Sequence, residues 1–77
     1  MMRTPSREAV QALRERYPRG TTVELASMED AFAPPAGTRG KVIEVDDAGT
    51  VHVAWSTGSS LGLIPGVDVW KVVNEND

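Results

Sequence analysis

His52 is the only imidazole in this 77-residue chain, which makes it the first candidate for acid–base chemistry. A catalytic histidine needs a nucleophile and an orienting partner within hydrogen-bond reach. Serines on neighbouring strands of a sheet are able to supply a hydroxyl group, but no recognisable motif surrounds any serine of this sequence. We therefore predict no catalytic residues and no enzyme activity.

Asp46 and Asp47 are adjacent carboxylates, a residue type that binds hard metal ions. Neighbouring side chains in a turn point apart, however, and no regularly spaced oxygen ligands follow them as in a calcium loop. We therefore predict that Asp46-Asp47-Ala48-Gly49 is a turn, with Gly49 at a position of positive φ. Because the chain also has no cysteine, thiolate metal sites, disulfides and thiol nucleophiles are excluded. We predict no metal site and no cofactor.

A proline-containing segment, residues 27–38, is the strongest candidate for binding. Its two adjacent prolines prevent strand pairing and stiffen the backbone, which lowers the entropy lost when a partner docks. The single phenylalanine of the chain lies there among small residues, with little local bulk to bury it. We predict a binding surface with an aromatic anchor and an acidic rim, formed by Glu29, Asp30, Phe32, Pro34 and Pro35.

The position of Phe32 has two interpretations. In the first, its ring is partly exposed or contacts another chain. In the second, the ring covers one end of the fold or packs against Leu13 and Tyr17. The first interpretation suits a protein or peptide partner, since an acidic rim is complementary to a basic segment.

Charge is divided unevenly along the sequence. Residues 1–20 carry five arginines against two glutamates, a net charge of +3, whereas residues 21–77 carry three cations against nine acids, a net charge of −6. The basic segment either docks on the acidic body or forms an arm that contacts nucleic acid. The candidates for such an arm are Arg3, Arg7, Arg14, Arg16 and Arg19. An acidic body disfavours a wide phosphate-binding face, so nucleic-acid binding is the second hypothesis.

The length allows one domain with a single small core, and 40% of the residues are hydrophobic. The longest run without a charged side chain, residues 48–67, contains Gly, Ser, Thr and His throughout, so we predict no membrane-spanning segment. Residues 1–20 lack the apolar stretch of a signal peptide. These features, with the absence of cysteine, favour a cytoplasmic location.

The elements that position these residues follow from local patterns. Thr4 as N-cap and Pro5 at the first helical position predict one helix within residues 4–17. β-Branched and alternating segments predict strands over 21–25, 39–45, 50–55, 60–64 and 69–73. A β-bulge near Ile43 explains the broken alternation of the second strand. The residues predicted to be buried are Val23, Leu25, Val45, Val51, Val53, Trp55, Leu61 and Leu63.

This order of elements predicts a mainly β fold. The layout is that of SH3-like barrels: one strand, a long loop, three strands joined by hairpins, a one-turn connector and a short last strand. Closure of the sheet into a barrel removes exposed sheet edges. We expect a single small five-stranded SH3-like barrel over residues 21–77. Residues 1–20 supply the N-terminal helix and a linker, and the two parts form one structural domain.

The assembled segments resemble a short bacterial and phage family known as a domain of unknown function, number 4314. The resemblance covers most of residues 14–72 and departs from the family at Ser56-Thr57-Gly58, where the family pattern is Asp-Asn-Gly. It implies a fold and an accessory role in bacteria or their mobile elements, and it implies no activity. The matching segments are Tyr17-Pro18-Arg19-Gly20-Thr21, Val23-Glu24-Leu25, Ser27-Met28-Glu29-Asp30, Ala33-Pro34-Pro35, Gly37-Thr38-Arg39-Gly40, Val45-Asp46-Asp47-Ala48-Gly49, His52-Val53-Ala54-Trp55 and Leu61-Gly62-Leu63-Ile64-Pro65-Gly66-Val67-Asp68.

A shorter segment of the sequence is similar to two groups of SH3-like domains. The run Gly37-Thr38-Arg39-Gly40-Lys41-Val42, followed by an acidic turn and Val-x-Trp, is similar to peptide-binding repeats of certain ubiquitin ligases and to KOW modules. The first group implies protein binding, and the second implies contact with nucleic acid or a polymerase. Our first hypothesis is therefore a non-enzymatic module that binds a protein or peptide. A structural or assembly protein that self-associates through the helix is the third, and the sequence leaves the oligomeric state open.

Overall fold

The computed structural model describes residues 5–74, which form one helix and five strands. The elements are α1 (Arg7–Arg16), β1 (Thr22–Ser27), β2 (Arg39–Val45), β3 (Val51–Trp55), β4 (Gly62–Leu63) and β5 (Val69–Val72). All strand pairs are antiparallel, and the order across the sheet is β4-β3-β2-β1-β5. Within this part of the chain no helix is long and apolar enough to cross a membrane.

The prediction of a mainly β fold with one helix and five strands is confirmed. The strands form one open antiparallel sheet whose edges are β4 and β5, and in residues 5–74 no ladder joins these two edges. Closure into a barrel is therefore still a prediction. β4 is only two residues long and β5 carries Lys71, two features that discourage pairing with other chains at sheet edges.

The helix begins later than the sequence pattern indicated. The predicted N-cap, Thr4, lies outside the described residues, and Pro5 precedes the helix instead of occupying its first position. Ser6 is the N-cap, because its extended backbone allows its hydroxyl oxygen to accept a hydrogen bond from the Ala9 amide at 3.1 Å. The prediction from Thr4-Pro5 was wrong by two residues, since Ser6 provides an equally good capping side chain nearer the first apolar position.

The strands differ from their predicted bounds mainly at their ends. The second strand is found over its predicted range, and its register with β3 shifts between Val42 and Glu44, which confirms the β-bulge near Ile43. The fourth strand is shorter than predicted, covering Gly62–Leu63 only. A second register shift lies between Leu25 and Ser27, where β1 pairs with β5.

The core lies between one face of the sheet and α1. Seven of the eight predicted core residues are buried. Leu61 is the exception: it is half-buried because it precedes β4, and its carbonyl oxygen accepts a hydrogen bond from the Trp55 indole nitrogen at 2.9 Å. The complete set of buried apolar side chains is Val10, Tyr17, Val23, Leu25, Val42, Val45, Val51, Val53, Trp55 and Leu63.

The helix docks on the sheet of its own chain. Val10 and Tyr17 belong to the core, and the Tyr17 ring packs against Trp70 with 5.7 Å between ring centroids. Gly49 permits this approach, since its φ is 84° and an added Cβ would lie 2.9 Å from Pro5 Cγ. Val10 and Tyr17 are therefore buried in the chain's own core, whereas Leu13 is half-buried and Ala9 is exposed.

Replacing Val53 with Ala tests the strand register. Val53 is fully buried in the middle of β3, so loss of two methyl groups should lower the free energy of unfolding by about 1–3 kcal/mol, as measured by chemical denaturation. Val69, on the edge strand and 55% exposed, is the matched control, and Val69→Ala should cost less than half as much. Equal costs at the two positions would contradict the register.

Candidate functional site

The segment between β1 and β2, called here the 28–38 loop, is closed at its base by main-chain hydrogen bonds. The Leu25 amide donates to the Thr38 carbonyl at 2.9 Å, and the Gly37 amide donates to the Leu25 carbonyl at 2.7 Å. Gly37 has a φ of 93°, a conformation that favours glycine. The loop therefore leaves and rejoins the sheet at neighbouring positions.

Asp68 attaches the start of this loop to the connector between β4 and β5. Its side chain is buried, and its two carboxylate oxygens accept hydrogen bonds from different segments. Oδ1 accepts from the Glu29 amide at 3.2 Å, and Oδ2 accepts from the Ile64 amide at 2.8 Å. One buried carboxylate thus joins two irregular segments that are 39 residues apart in sequence.

The tip of the loop is shaped by its own side chains. Asp30 Oδ1 accepts a hydrogen bond from the Phe32 amide at 2.8 Å, and the Asp30 carbonyl accepts from the Ala33 amide at 3.1 Å. Such an Asx-type turn is a common way for Asp to order a loop. Pro34 is buried, and the Pro35 carbonyl accepts from the Thr38 amide at 3.1 Å.

The structure divides the five predicted binding residues into two groups. Phe32 is 85% exposed, and Glu29, Asp30 and Pro35 are also at the surface. Pro34 is instead buried. The expectation that Phe32 is exposed is confirmed, and the alternative in which its ring caps the fold or packs against the helix is wrong.

His52 and Asp46 form a side-chain pair at one end of β3. His52 Nε2 lies 2.8 Å from Asp46 Oδ2, while Asp46 Oδ1 accepts hydrogen bonds from the Ala48 and Thr50 amides at 3.0 and 2.9 Å. The hydrogen bond to His52, followed by those from the two amides, lowers the pKa of Asp46, and partial burial opposes this shift. The pair therefore orders the β2–β3 turn.

The adjacent carboxylate, Asp47, points toward the helix. Arg14 Nη2 lies 2.8 Å from Asp47 Oδ1, and Arg14 Nε donates to the Val45 carbonyl at 3.1 Å. The two aspartates contact different partners, as predicted for adjacent side chains in a turn. The turn itself is confirmed, since Gly49 has the expected positive φ. In residues 5–74 no three His, Asp or Glu side chains gather as a metal site.

The arginines proposed for nucleic-acid contact are used in different ways. Arg14 binds the body of the protein, and the Arg16 guanidinium lies 5.5 Å from the centroid of the Tyr17 ring. Arg7 and Arg19 are exposed, and Arg3 lies outside the described residues. Part of the basic segment therefore docks on the acidic body.

A charged cluster on the other side of the sheet was not predicted. Glu24 on β1 lies between two cations, with Arg39 Nε at 3.2 Å from Oε1 and Lys71 Nζ at 3.5 Å from Oε2. The hydrogen bond from Arg39, with a smaller contribution from Lys71, lowers the pKa of Glu24 against the effect of burial. Strand alternation places each residue on this face, but only the pairing register brings the three together.

Most of the chain matches a known protein family. Residues 6–73 match the model of a family described as a domain of unknown function, DUF4314. The chain belongs to this family. The match covers α1 and all five strands, so the docked helix is part of the family's domain together with the sheet. No curated protein and no solved structure matches the chain.

Removing the Asp68 carboxylate tests whether it holds the 28–38 loop. Asp68→Ala leaves the Glu29 and Ile64 amides without their acceptor, which should lower the free energy of unfolding by about 1–3 kcal/mol. Hydrogen exchange at these two amides should accelerate beyond the change expected from global stability. Asp30→Asn, at an exposed carboxylate that keeps its accepting oxygen, is the control. Unchanged exchange at Glu29 in Asp68→Ala would contradict the role of Asp68.

The Asp46–His52 pair predicts a pH dependence of stability. Because the pKa of Asp46 is lowered in the folded state, its ionised form stabilises the fold above the ordinary pKa of 3.8, and this contribution is lost as pH falls through the folded-state pKa. Asp46→Asn should therefore reduce the free energy of unfolding at pH 7 by no more than about 1 kcal/mol, since the pair is partly exposed. This difference should shrink below the ordinary pKa.

Denaturation of wild type and Asp46→Asn across the acid range measures this effect. Asp47→Asn removes the same charge from the neighbouring residue and controls for a general change in net charge. A difference between wild type and Asp46→Asn that stays constant down to strongly acidic pH would rule out the lowered pKa as its cause.

Proposed function

We propose that this protein is a non-enzymatic interaction module that binds a basic segment of another protein through the 28–38 loop. The observation that carries this proposal is the 85% exposure of Phe32 on a loop whose base and tip are both fixed by hydrogen bonds. An aromatic side chain that protrudes from an ordered loop offers a large apolar contact to a partner.

The order of the loop favours binding energetically. Its ends are closed at Leu25, its start is attached to Asp68, and Pro34 within it is buried. A partner that covers Phe32 therefore loses little conformational entropy in the loop, because the backbone is already restricted. The apolar contact then contributes more of its energy to affinity.

The charge of the loop indicates the type of partner. The exposed side chains of Glu29 and Asp30 lie close to Phe32 in sequence, on a chain with a net charge of −3. Carboxylates at the edge of an apolar contact attract lysine and arginine and increase the association rate. We therefore expect a basic peptide or protein segment with an apolar residue between its cations.

The remaining hypotheses receive less support. Arg14 and Arg16 of the proposed nucleic-acid arm contact their own chain, and Val10 and Tyr17 are buried in the core, so self-association through these two apolar side chains would require undocking. The strand order and the tight connector before β5 support closure into an SH3-like barrel, which is the architecture we propose. The setting that we propose is the bacterial cytoplasm, in a host or a mobile element.

Phe32→Ala tests the proposal directly. An array of Lys- and Arg-containing peptides with varied apolar residues identifies binders, and calorimetry then measures their affinity. Phe32→Ala should weaken binding by about 5- to 150-fold, corresponding to about 1–3 kcal/mol for an aromatic anchor, with no loss of melting temperature.

Two further variants separate the parts of this surface. Glu29→Gln should weaken binding in low salt and have a smaller effect in high salt, because exposed charges are screened. Val69→Ala removes exposed apolar atoms from the edge strand and should leave affinity unchanged. The proposal fails if no basic peptide binds, or if Phe32→Ala binds as tightly as wild type.

A further inference from the structure

A groove of about 590 Å³, called here the α1 groove, is lined by residues of α1, of the β2–β3 turn and of the β4–β5 connector. The helix contributes Ala9, Ala12 and Leu13, and the connector contributes Ile64 and Val67. Ile64 and Val67 are 43% and 45% exposed, although both side chains are large and apolar. The groove is therefore an apolar surface that remains open to solvent.

A single positive charge lies at this groove. Among the described residues that line it, Arg16 is the only one with a charged or polar side chain. Its Cζ lies 5.5 Å from the centroid of the Tyr17 ring, and it forms no ion pair with a carboxylate that the structure describes. The two glutamates of α1, Glu8 and Glu15, line a different depression on the helix surface. The α1 groove therefore suits an apolar group that has a carboxylate beside it.

The tip of the 28–38 loop carries a group of this kind. Phe32 is 85% exposed, its two neighbours in sequence are alanines, and the exposed residues Glu29 and Asp30 precede it. Small neighbours make the tip narrow, so the ring is able to enter a groove ahead of the rest of the loop. Phe32 does not line the α1 groove of its own chain. The loop and the groove are thus complementary in charge and apolar character, and neither occupies the other within one chain.

We propose that the partner of the 28–38 loop is a second copy of this chain, whose α1 groove receives Phe32 while its Arg16 pairs with Glu29. This inference rests on the proposed function, because it identifies α1 of the second copy as the basic segment that the loop binds. Burial of the ring supplies the apolar contact, and the ion pair orients it. The contact uses the exposed side of α1, so the helix stays docked on its own sheet.

A second copy is favoured over an unrelated partner because both halves of the contact are present on this chain. A contact between two unlike surfaces of identical copies is heterologous, and every copy then offers one loop and one groove. A contact made by one loop is also smaller than the interfaces of permanent dimers. We therefore expect an association that depends on protein concentration.

Sedimentation velocity of the full chain over a range of concentrations tests this inference. The wild-type mass should increase with concentration, and Phe32→Ala should weaken association about fivefold or more, as for loss of an aromatic anchor. Ala12→Glu adds a carboxylate to the groove at an exposed helical position and should weaken association more than tenfold, because it repels Glu29 and Asp30. Gln11→Glu adds the same charge to α1 outside the groove and should leave association unchanged.

A mixture of two variants distinguishes the contact between loop and groove from any other self-association. Phe32→Ala retains the groove, and Ala12→Glu retains the loop. Each variant alone should associate weakly, whereas the equimolar mixture should form a one-to-one complex. A wild type that is monomeric at every concentration, association that both variants retain, or a mixture without a complex would overturn the inference.

Amide chemical shifts of the wild-type protein give an answer that does not depend on variant stability. Raising the protein concentration should shift amides of residues 29–33 together with those of residues 12–16 and of Val67. Shifts confined to one of the two surfaces would contradict the contact. An apolar acidic peptide that shifts the groove amides of a protein that stays monomeric would replace the second copy with a different partner.

Binding of basic peptides is a separate measurement, so the two proposals fail in different ways. Ala12→Glu keeps the loop while its self-association is weakened, and its affinity for basic peptides therefore reports on the loop alone. Peptide binding by this variant, combined with a monomeric wild type, would overturn the second copy as partner and leave the proposed function standing. Self-association through Phe32 without binding of any basic peptide would support the second copy and exclude short basic peptides as partners.

Discussion

The buried carboxylate of Asp68 determines where the 28–38 loop stands relative to the sheet. Its two oxygens accept hydrogen bonds from backbone amides of the loop and of the β4–β5 connector, two segments without regular pairing of their own. A buried carboxylate is costly unless its oxygens have donors, so both amides must stay in place once Asp68 is buried. The exposed ring of Phe32 is consequently carried on a loop that moves with the sheet.

The two faces of the sheet and the 28–38 loop differ in burial and in the charges of their side chains. The core face is covered by α1, with Arg14 bonded to the β2–β3 turn, so the helix contributes burial that the small sheet lacks by itself. The opposite face carries Glu24 between Arg39 and Lys71, whereas the loop presents carboxylates beside one aromatic ring.

Several errors of the sequence interpretation have one cause, which is that local patterns do not reveal competing partners. Thr4 and Ser6 are both residue types that cap helices, and in the fold the Ser6 side chain accepts the hydrogen bond of the N-cap. Leu61 fits the alternating pattern of a buried strand. However, its carbonyl oxygen accepts a hydrogen bond from the Trp55 indole, and β4 begins at the next residue, Gly62. Pro34 was predicted to belong to the binding surface because prolines stiffen loops, but its side chain is buried.

Local sequence patterns predicted one helix, five strands, the bulge near Ile43, the glycine turns and most of the core, because periodicity and backbone preference act over a few residues. They also indicated that Phe32 is exposed, since no large side chain is near it in the chain. The attachment of the loop to Asp68 and the cluster of Glu24, Arg39 and Lys71 could be found only in the folded chain. Those contacts join residues far apart in sequence, and the register that aligns them is set by packing of the whole core.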